Sequence, residues 1–199
     1  ILDGKTVLAH QVNCTPHDIE LIAKRGARVV HNPLANTILG SGMPPIMDML
    51  KKRIVVAIST DGSGSADNQN ILAAARLASQ YQKALNQNAG LLPAQQVLEM
   101  ITCIPARMLG FNSGSLEAGK DADLVLMDTR RPNLTPTRLD NVVENLIWAS
   151  DGSEARYVMA NGNLVKDDYR ITQLNAEKIM NEVRELAQIG RASCRERVL

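Results

Sequence analysis

One apolar run in the first half of the chain constrains the fold most. Arg53–Ser59 reads RIVVAIS, and its central residues show no alternation of polar and apolar side chains. A strand that is apolar on both faces is typical of a parallel sheet covered by helices on both sides. Parallel strands need long crossover connections, which are usually helical, so the flanking segments are expected to alternate between strands and helices.

The residues on either side of this run show that alternation. Two more strands are predicted, at Lys5–Val12 and Arg28–His31, and Thr15 followed by Pro16 is typical of a helix start between them. Further helices are predicted at Met43–Lys52, Asn68–Asn88 and Pro93–Leu109. This order predicts an α/β fold, either part of a (β/α) barrel or a doubly wound sheet.

The pattern changes near Gly114, where short strands replace the strand–helix alternation. Asn161-Gly162 is the strongest local signal, because this dipeptide favours the two-residue turn of a β-hairpin. Strands are predicted at Ala122–Asp128, Asn145–Ala149, Ala155–Ala160 and Leu164–Lys166, and an amphipathic helix at Ala176–Gln188. We interpret this region as a β-rich appendage to the α/β part.

Four segments follow from these patterns. Residues 1–112 form the α/β part, residues 113–170 the β-rich part, residues 171–188 a C-terminal helix and residues 189–199 a tail. The tail does not continue the amphipathic pattern of the helix before it, and we interpret it as artefactual sequence. A natural basic tail is the alternative interpretation.

Composition excludes several classes of partner. The net charge is +1 and only 3% of residues are aromatic, so neither nucleic acid nor an anionic membrane is expected to bind. No apolar run is long enough to span a bilayer. The three cysteines, Cys14, Cys103 and Cys194, form no CxxC pair, which favours a reducing, cytoplasmic setting over a disulfide framework.

Three residues that suit catalysis lie at consecutive strand ends. His10 lies near the end of the first predicted strand, His31 ends the second, and Asp61 follows the third. In α/β barrels the chemistry is carried out at this end of the strands, so these side chains are predicted to share a pocket. A carboxylate such as Asp61 can bind a metal ion and accept a proton from water.

Each of the three also has a purely structural interpretation. Asp61 precedes Gly62 and suits a turn that caps the following helix. His10 suits a core histidine that is hydrogen-bonded to backbone, and His31 suits a hydrogen bond to its own loop. The sequence leaves these alternatives open.

Taken together, these segments resemble the amidohydrolase superfamily. The branch that they resemble contains the methylthioadenosine/S-adenosylhomocysteine deaminases, the guanine deaminases and the s-triazine hydrolases. The resemblance covers about residues 5–168 and rests on LAHQV (8–12), HNPLANTILGSG (31–42), STDG (59–62), GSLEAGKDADLVLMD (114–128) and YVMANGNLV (157–165).

The resemblance implies the C-terminal part of a (β/α)8 TIM barrel, namely its last three βα units, with a small β-sandwich appendage. It implies that Asp61 is a metal ligand that also moves protons, and that His10 contacts the attacking hydroxide and is a further candidate ligand. His31, Asn36 and Ser65 are the implied substrate-binding residues. The remaining metal ligands of the family, a His-x-His pair and a further histidine, have no counterpart in this chain.

The implied function is the metal-dependent hydrolytic deamination of a nitrogen heterocycle, such as an adenosine derivative. Zinc is the expected metal, with iron as the alternative, and the expected partners are a small heterocyclic substrate and water, with a homo-oligomer compatible with the sequence. An s-triazine-type amino- or chlorohydrolase is the nearest alternative. A non-catalytic binding scaffold is the alternative from another class. Because most metal ligands are absent, the chain alone is expected to be inactive.

Overall fold

The first part of the molecule is built on a three-stranded parallel sheet. The computed structural model describes residues 2–196, with side-chain environments up to residue 187. The strands are β1 (Val7–Ala9), β2 (Arg28–His31) and β3 (Val56–Ile58), in the order β1-β2-β3. Val29 is paired with Leu8 on one side and with Val56 on the other. All three residues of β3 are buried, as its apolar run predicts.

Helix α1 (Pro16–Arg25) begins and ends where its sequence predicts. The Thr15 side chain accepts a hydrogen bond from the Asp18 N–H, and the Asp18 carboxylate accepts one from the Thr15 N–H. This capping box satisfies two of the N–H groups that a helix start leaves unpaired. Gly26 ends the helix with φ of 69°, a left-handed conformation that glycine adopts without steric cost.

Six more helices complete this part: α2 (Pro33–Ile38), α3 (Ile46–Lys51), α4 (Ser63–Ala66), α5 (Ile71–Leu85), α6 (Ala94–Ile101) and α7 (Cys103–Leu109). The sequence patterns do not predict α2. The single helix predicted at Pro93–Leu109 is interrupted at Thr102, which has φ of −126° and ψ of −92°. Pro105 explains the break, because proline has no N–H to donate to the preceding turn.

The second part is an antiparallel sheet of order β4-β5-β6-β7. Its strands are β4 (Leu124–Met127), β5 (Ala155–Ala160), β6 (Asn163–Asp167) and β7 (Arg170–Ile171). Asn161 and Gly162 form the β5–β6 turn with φ of 47° and 76°, which confirms the predicted hairpin. Within residues 2–196 the strands of this part form one sheet, so a sandwich is not seen.

The strand predicted at Asn145–Ala149 is wrong. A short 3-10 helix (Pro132–Leu134) is followed by α8 (Val142–Trp148), which packs against α5 and α6. Ile147 is fully buried in the hydrophobic core, and Val143, one helical turn earlier, packs against the same core. Four or five apolar residues do not distinguish a buried strand from a buried helix, so burial against α6 decides the outcome here.

Helix α9 (Ala176–Glu196) is the last element. It runs past Gln188 without a break, so its backbone extends into the segment predicted as an artefactual tail. Residues 197–199 of that segment lie outside the described residues. Among the helices of residues 2–196, none is long and apolar enough to cross a membrane.

Candidate functional site

The three residues predicted at strand ends lie at one edge of the parallel sheet. His10 directly follows β1, His31 is the last residue of β2, and Asp61 lies three residues beyond β3. Backbone hydrogen bonds continue the ladder at this edge, from the His10 N–H to the Val30 carbonyl (3.0 Å) and from the Ser59 N–H to the His31 carbonyl (2.9 Å). The strands are parallel, so their carboxyl ends share this edge.

The backbone at this edge adopts uncommon conformations. His10, Gln11 and Asp61 have φ of 66°, 54° and 66°, all in the left-handed region that residues with a Cβ atom seldom occupy. Each such residue costs of order 1 kcal/mol or more, and conformations of this kind cluster at functional sites. This conformation turns the chain at His10, directly after β1, and at Asp61, three residues after β3.

His10 contacts two other polar side chains of the site. Its Nδ1 lies 2.8 Å from Oδ1 of Asn36, a residue of α2, which is a full hydrogen bond. Its Nε2 lies 3.7 Å from Oδ2 of Asp61, where the two side chains are 42% and 29% exposed, respectively. The structure therefore brings together three of the five predicted site residues, from three different segments of the chain.

A closed loop holds Asp61 in place. The Gly62 N–H donates to Asp61 Oδ1 (2.8 Å), and the Gln69 side-chain amide donates to the Asp61 carbonyl (3.0 Å). Thr60 lies against the same amide, 3.0 Å from Gln69 Oε1. The sequence does not single out Gln69, because only the folded loop brings Gln69 back to Asp61, and Thr60 enters the sequence analysis only as part of STDG (59–62).

Asp61 does not cap a helix. The N-cap of α4 is Gly62, and the N-cap of α5 is Asn70, whose side-chain oxygen accepts a hydrogen bond from the Ala73 N–H. The Asp61 carboxylate instead points toward His10 with its second oxygen. The helix-capping interpretation of Asp61 is therefore wrong; its Oδ1 holds the turn through the Gly62 N–H, and its Oδ2 remains available to a ligand.

His31 is buried and uncharged. The residue is 1% exposed, and its Nδ1 has no hydrogen-bond partner among the described residues. Burial, and to a smaller extent the charge of His10, lowers the pKa of His31 to about 4. At neutral pH this imidazole is therefore neutral, and it interacts through hydrogen bonds and packing rather than through charge.

Two asparagines near His31 also keep a buried polar atom without a partner among the described residues. These atoms are Oδ1 of Asn32 and Nδ2 of Asn36, and the two residues are 4% and 2% exposed, respectively. An unpaired buried polar atom costs free energy, so such atoms are rare in folded proteins. Ser65, the remaining predicted contact to substrate, lies half-buried in α4. The substrate contacts of His31, Asn36 and Ser65 stay predictions.

Asp61 and His10 fit a divalent metal only in part. Tetrahedral zinc with bonds of 2.0–2.2 Å holds two ligand atoms about 3.4 Å apart, which is close to the 3.7 Å between Asp61 Oδ2 and His10 Nε2. A catalytic zinc site takes about three protein ligands, however. Among residues 2–196 no group of three histidine, cysteine, aspartate or glutamate residues is placed to hold a metal ion.

Comparisons with known proteins place this chain in a family. The sequence profile of the Amidohydrolase family matches residues 1–165. The chain is 36% identical over 186 residues to a 5'-deoxyadenosine deaminase of Methanosarcina acetivorans, covering 93% of this chain and 43% of that protein. It is 34% identical over 200 residues to a 5-methylthioadenosine/S-adenosylhomocysteine deaminase of Syntrophus aciditrophicus, covering 100% of this chain and 45% of the relative.

Solved structures of zinc-bound hydrolases also resemble this chain. An adenosine deaminase from Xanthomonas campestris with bound zinc superposes with a TM-score of 0.90 at 28% identity, over 96% of this chain and 44% of that one. An atrazine chlorohydrolase from Arthrobacter aurescens complexed with zinc superposes with a TM-score of 0.84 at 26% identity, over 93% and 41% of the two chains. The chain spans less than half the length of these proteins, and it belongs to the amidohydrolase family.

Proposed function

We propose that this chain is part of a metal-dependent hydrolytic deaminase that acts on an adenosine derivative. The observation that carries the proposal is the approach of Asp61 and His10 to 3.7 Å at the carboxyl ends of β1 and β3. This pair lies in a chain whose relatives are named as deaminases of 5'-deoxyadenosine and of methylthioadenosine and S-adenosylhomocysteine.

The three parallel strands are, in this proposal, one sector of a (β/α)8 barrel. A barrel of this type takes about 250 residues, more than residues 1–112 supply. The other strands and the other metal ligands would come from sequence outside this chain, in keeping with its coverage of 43% of a relative. The antiparallel sheet β4–β7 would be one layer of the β-sandwich appendage.

The chemistry assigned to this chain is proton transfer and positioning. A bound divalent metal, for which zinc is the proposed identity, supplies Lewis-acid activation of water. The Asp61 carboxylate accepts a proton as water adds to the ring carbon that bears the amino group. Asp61 then returns that proton to the amino nitrogen, so the carbon–nitrogen bond breaks and ammonia leaves. His10 orients the attacking oxygen through Nε2, which faces Asp61.

The substrate-binding residues are proposed to act as neutral groups. His31 is uncharged at neutral pH because burial lowers its pKa to about 4. Asn32 and Asn36 offer unpaired amide atoms at the same strand end. A set of neutral hydrogen-bonding groups suits an uncharged heterocycle better than an ionic substrate, since no fixed charge from these residues needs a partner.

A triazine amino- or chlorohydrolase is the second candidate function. It is supported by the superposition on the atrazine chlorohydrolase, with a TM-score of 0.84. The same attack of water on a ring carbon expels chloride or an alkylamine in place of ammonia. The two candidates therefore differ in substrate and leaving group and share the roles of Asp61 and His10.

The test is turnover by the complete protein that contains this chain. Ammonia release would be measured with 5'-deoxyadenosine, methylthioadenosine and S-adenosylhomocysteine, and chloride release with atrazine, after loading with zinc. We expect ammonia release from at least one adenosine derivative, with loss of turnover in Asp61→Asn. His17→Gln is the matched control, because His17 is exposed on α1. Binding of these compounds without any turnover would identify a non-catalytic scaffold instead.

A further inference from the structure

The contact between His10 and Asn36 links a half-exposed imidazole to a buried amide. Asn36 lies in the second turn of α2 and is 2% exposed, and its Oδ1 is 2.8 Å from His10 Nδ1. The His10 side chain is 42% exposed, so water competes for its ring while the amide is shielded. A shielded hydrogen bond of this length restricts both the ring orientation and the position of the ring proton.

The proton of a neutral imidazole lies on one ring nitrogen, and the hydrogen-bond partners of the two nitrogens decide which one. An amide oxygen can only accept, so Asn36 Oδ1 requires a proton on His10 Nδ1. Nε2 then carries a lone pair. The distance of 3.7 Å from Nε2 to Asp61 Oδ2 agrees with this arrangement, because an Nε2–H donating to a carboxylate would approach to about 2.8 Å.

We propose that Asn36 is a positioning residue that holds His10 as the Nδ1–H tautomer, with the Nε2 lone pair facing Asp61. This inference rests on the proposed function for its catalytic meaning, and it deepens the role of Asn36 beyond contact with substrate. The site then presents two acceptors, Nε2 and the Asp61 carboxylate, toward one point. A single water molecule that donates one hydrogen bond to Nε2 and one to the Asp61 carboxylate would be oriented for attack. The same two acceptors could instead hold a cation between them.

The fold explains how Asn36 can perform this role. The Asn36 N–H donates to the Asn32 carbonyl (3.1 Å), and the Ser41 N–H donates to the Asn36 carbonyl (3.0 Å), so its backbone is fixed on both sides. Helix α2 starts shortly after His31, the last residue of β2. The sheet register and this helix thus set the distance between Asn36 and the end of β1, and the side chain has no solvent in which to reorient.

The test is nitrogen NMR on the 15N-labelled chain, which reports the tautomer without any catalytic activity. Long-range ¹H–15N correlations distinguish a protonated ring nitrogen from an unprotonated one, and the His10 signals are identified by their loss in His10→Gln. At a pH of about 9, where ordinary histidines are neutral, we expect a protonated Nδ1 and an unprotonated Nε2. An Nε2–H tautomer in the unmodified chain would overturn the inference.

Two variants and one control isolate the effect of the amide. Asn36→Leu removes the acceptor and should shift His10 toward the Nε2–H tautomer, which an unrestrained histidine favours. Asn36→Asp keeps an acceptor at this position and should retain the Nδ1–H tautomer. Asn32→Leu is the matched control, since Asn32 is similarly buried and its side chain is not hydrogen-bonded to His10 in the described structure.

The outcomes separate a positioning role from a merely structural one. An unchanged tautomer in Asn36→Leu would refute the role of the amide, as would an equal change in Asn32→Leu. Amide spectra of each variant show whether it folds. Should Asn36→Leu not fold, the unmodified chain and Asn36→Asp still decide between the tautomers. If the deaminase assay fails, the tautomer measured by NMR still stands. Failure of the proposed function can therefore be distinguished from failure of this inference.

Discussion

Acidification should destabilise this chain through His31. The imidazole is 1% exposed, and burial lowers its pKa to about 4 from an ordinary value of 6.5. Above pH 6.5 the residue is neutral in both the folded and the unfolded states and makes no pH-dependent contribution. Between pH 6.5 and 4 the unfolded chain binds a proton that the folded chain does not, so the free energy of unfolding falls as the pH falls.

The size of this loss follows from the two pKa values. One pKa unit corresponds to about 1.4 kcal/mol, so the difference between 6.5 and about 4 amounts to about 3 kcal/mol by pH 4. This is a large fraction of the 5–15 kcal/mol that stabilises a typical domain. Other groups also titrate in this range, so the contribution of His31 must be isolated by substitution.

Urea unfolding at a series of pH values between 8 and 4 measures the effect. His31→Leu replaces the titrating group with an apolar side chain of similar size. As the pH falls from 8 to 4, the free energy of unfolding of this variant should fall by about 3 kcal/mol less than that of the unmodified chain. His17→Gln, which alters an exposed histidine, is the matched control for the loss of one histidine. Parallel pH profiles for His31→Leu and the unmodified chain would refute the reasoning.

Three further predictions concern the metal, a buried carboxylate and a tight turn. Calorimetric titration of the 199-residue chain with zinc should show only weak binding, since no three suitable ligands converge in the described part; a tight 1:1 complex would contradict this. Glu154→Gln should lower the free energy of unfolding by about 1–3 kcal/mol in urea titrations, because one carboxylate accepts from Asn133, Ser150 and the Gly152 N–H, and an amide cannot accept from all three. Gly114→Ala should lower the thermal unfolding midpoint, because φ is 86° and a Cβ would lie 2.8 Å from the Ala106 Cβ; an unchanged midpoint would count against this clash.

The elements that the sequence predicts well are those with local signals. The capping box of Thr15 and Asp18 and the Asn161-Gly162 turn each depend on residues only a few positions apart. The strand at Arg28–His31 is predicted with its observed bounds, because Gly26 ends the helix before it and Pro33 follows it closely. In each case the chemistry that specifies the element lies within the element itself or at its ends.

The elements that it predicts poorly depend on distant contacts. Part of helix α8 is predicted as a strand, and only the packing of this segment on α5 and α6 distinguishes the two. Helix α2 begins at Pro33 inside a run that also suits a loop. Its buried residues are Pro33, Ala35 and Asn36, and the helix contacts α4 and α5. For short apolar segments, tertiary burial therefore outweighs local propensity.

The candidate site divides in the same way. The position of His10, His31 and Asp61 at strand ends follows from the sequence, because strand ends can be located along the chain. The pairing of His10 with Asn36 and the closure of the loop by Gln69 do not follow from the sequence. His10 and Asn36 are 26 positions apart, Asp61 and Gln69 are 8 positions apart, and each pair is joined through a side chain. The roles assigned to these residues in catalysis stay predictions until turnover is measured.

The loop that closes through Gln69 onto the Asp61 carbonyl also bears on how such a site diverges. Residues 63–68 lie between two anchored ends, with Asp61 and Gln69 joined at 3.0 Å and Asn70 fixed to the Asp151 carbonyl at 2.6 Å. Gly62 and Gly64 have open space where a Cβ would lie. Sequence drift inside this segment would leave the Asp61 carboxylate where it is, so selection could alter the surface beside it without displacing the group for which catalysis is proposed.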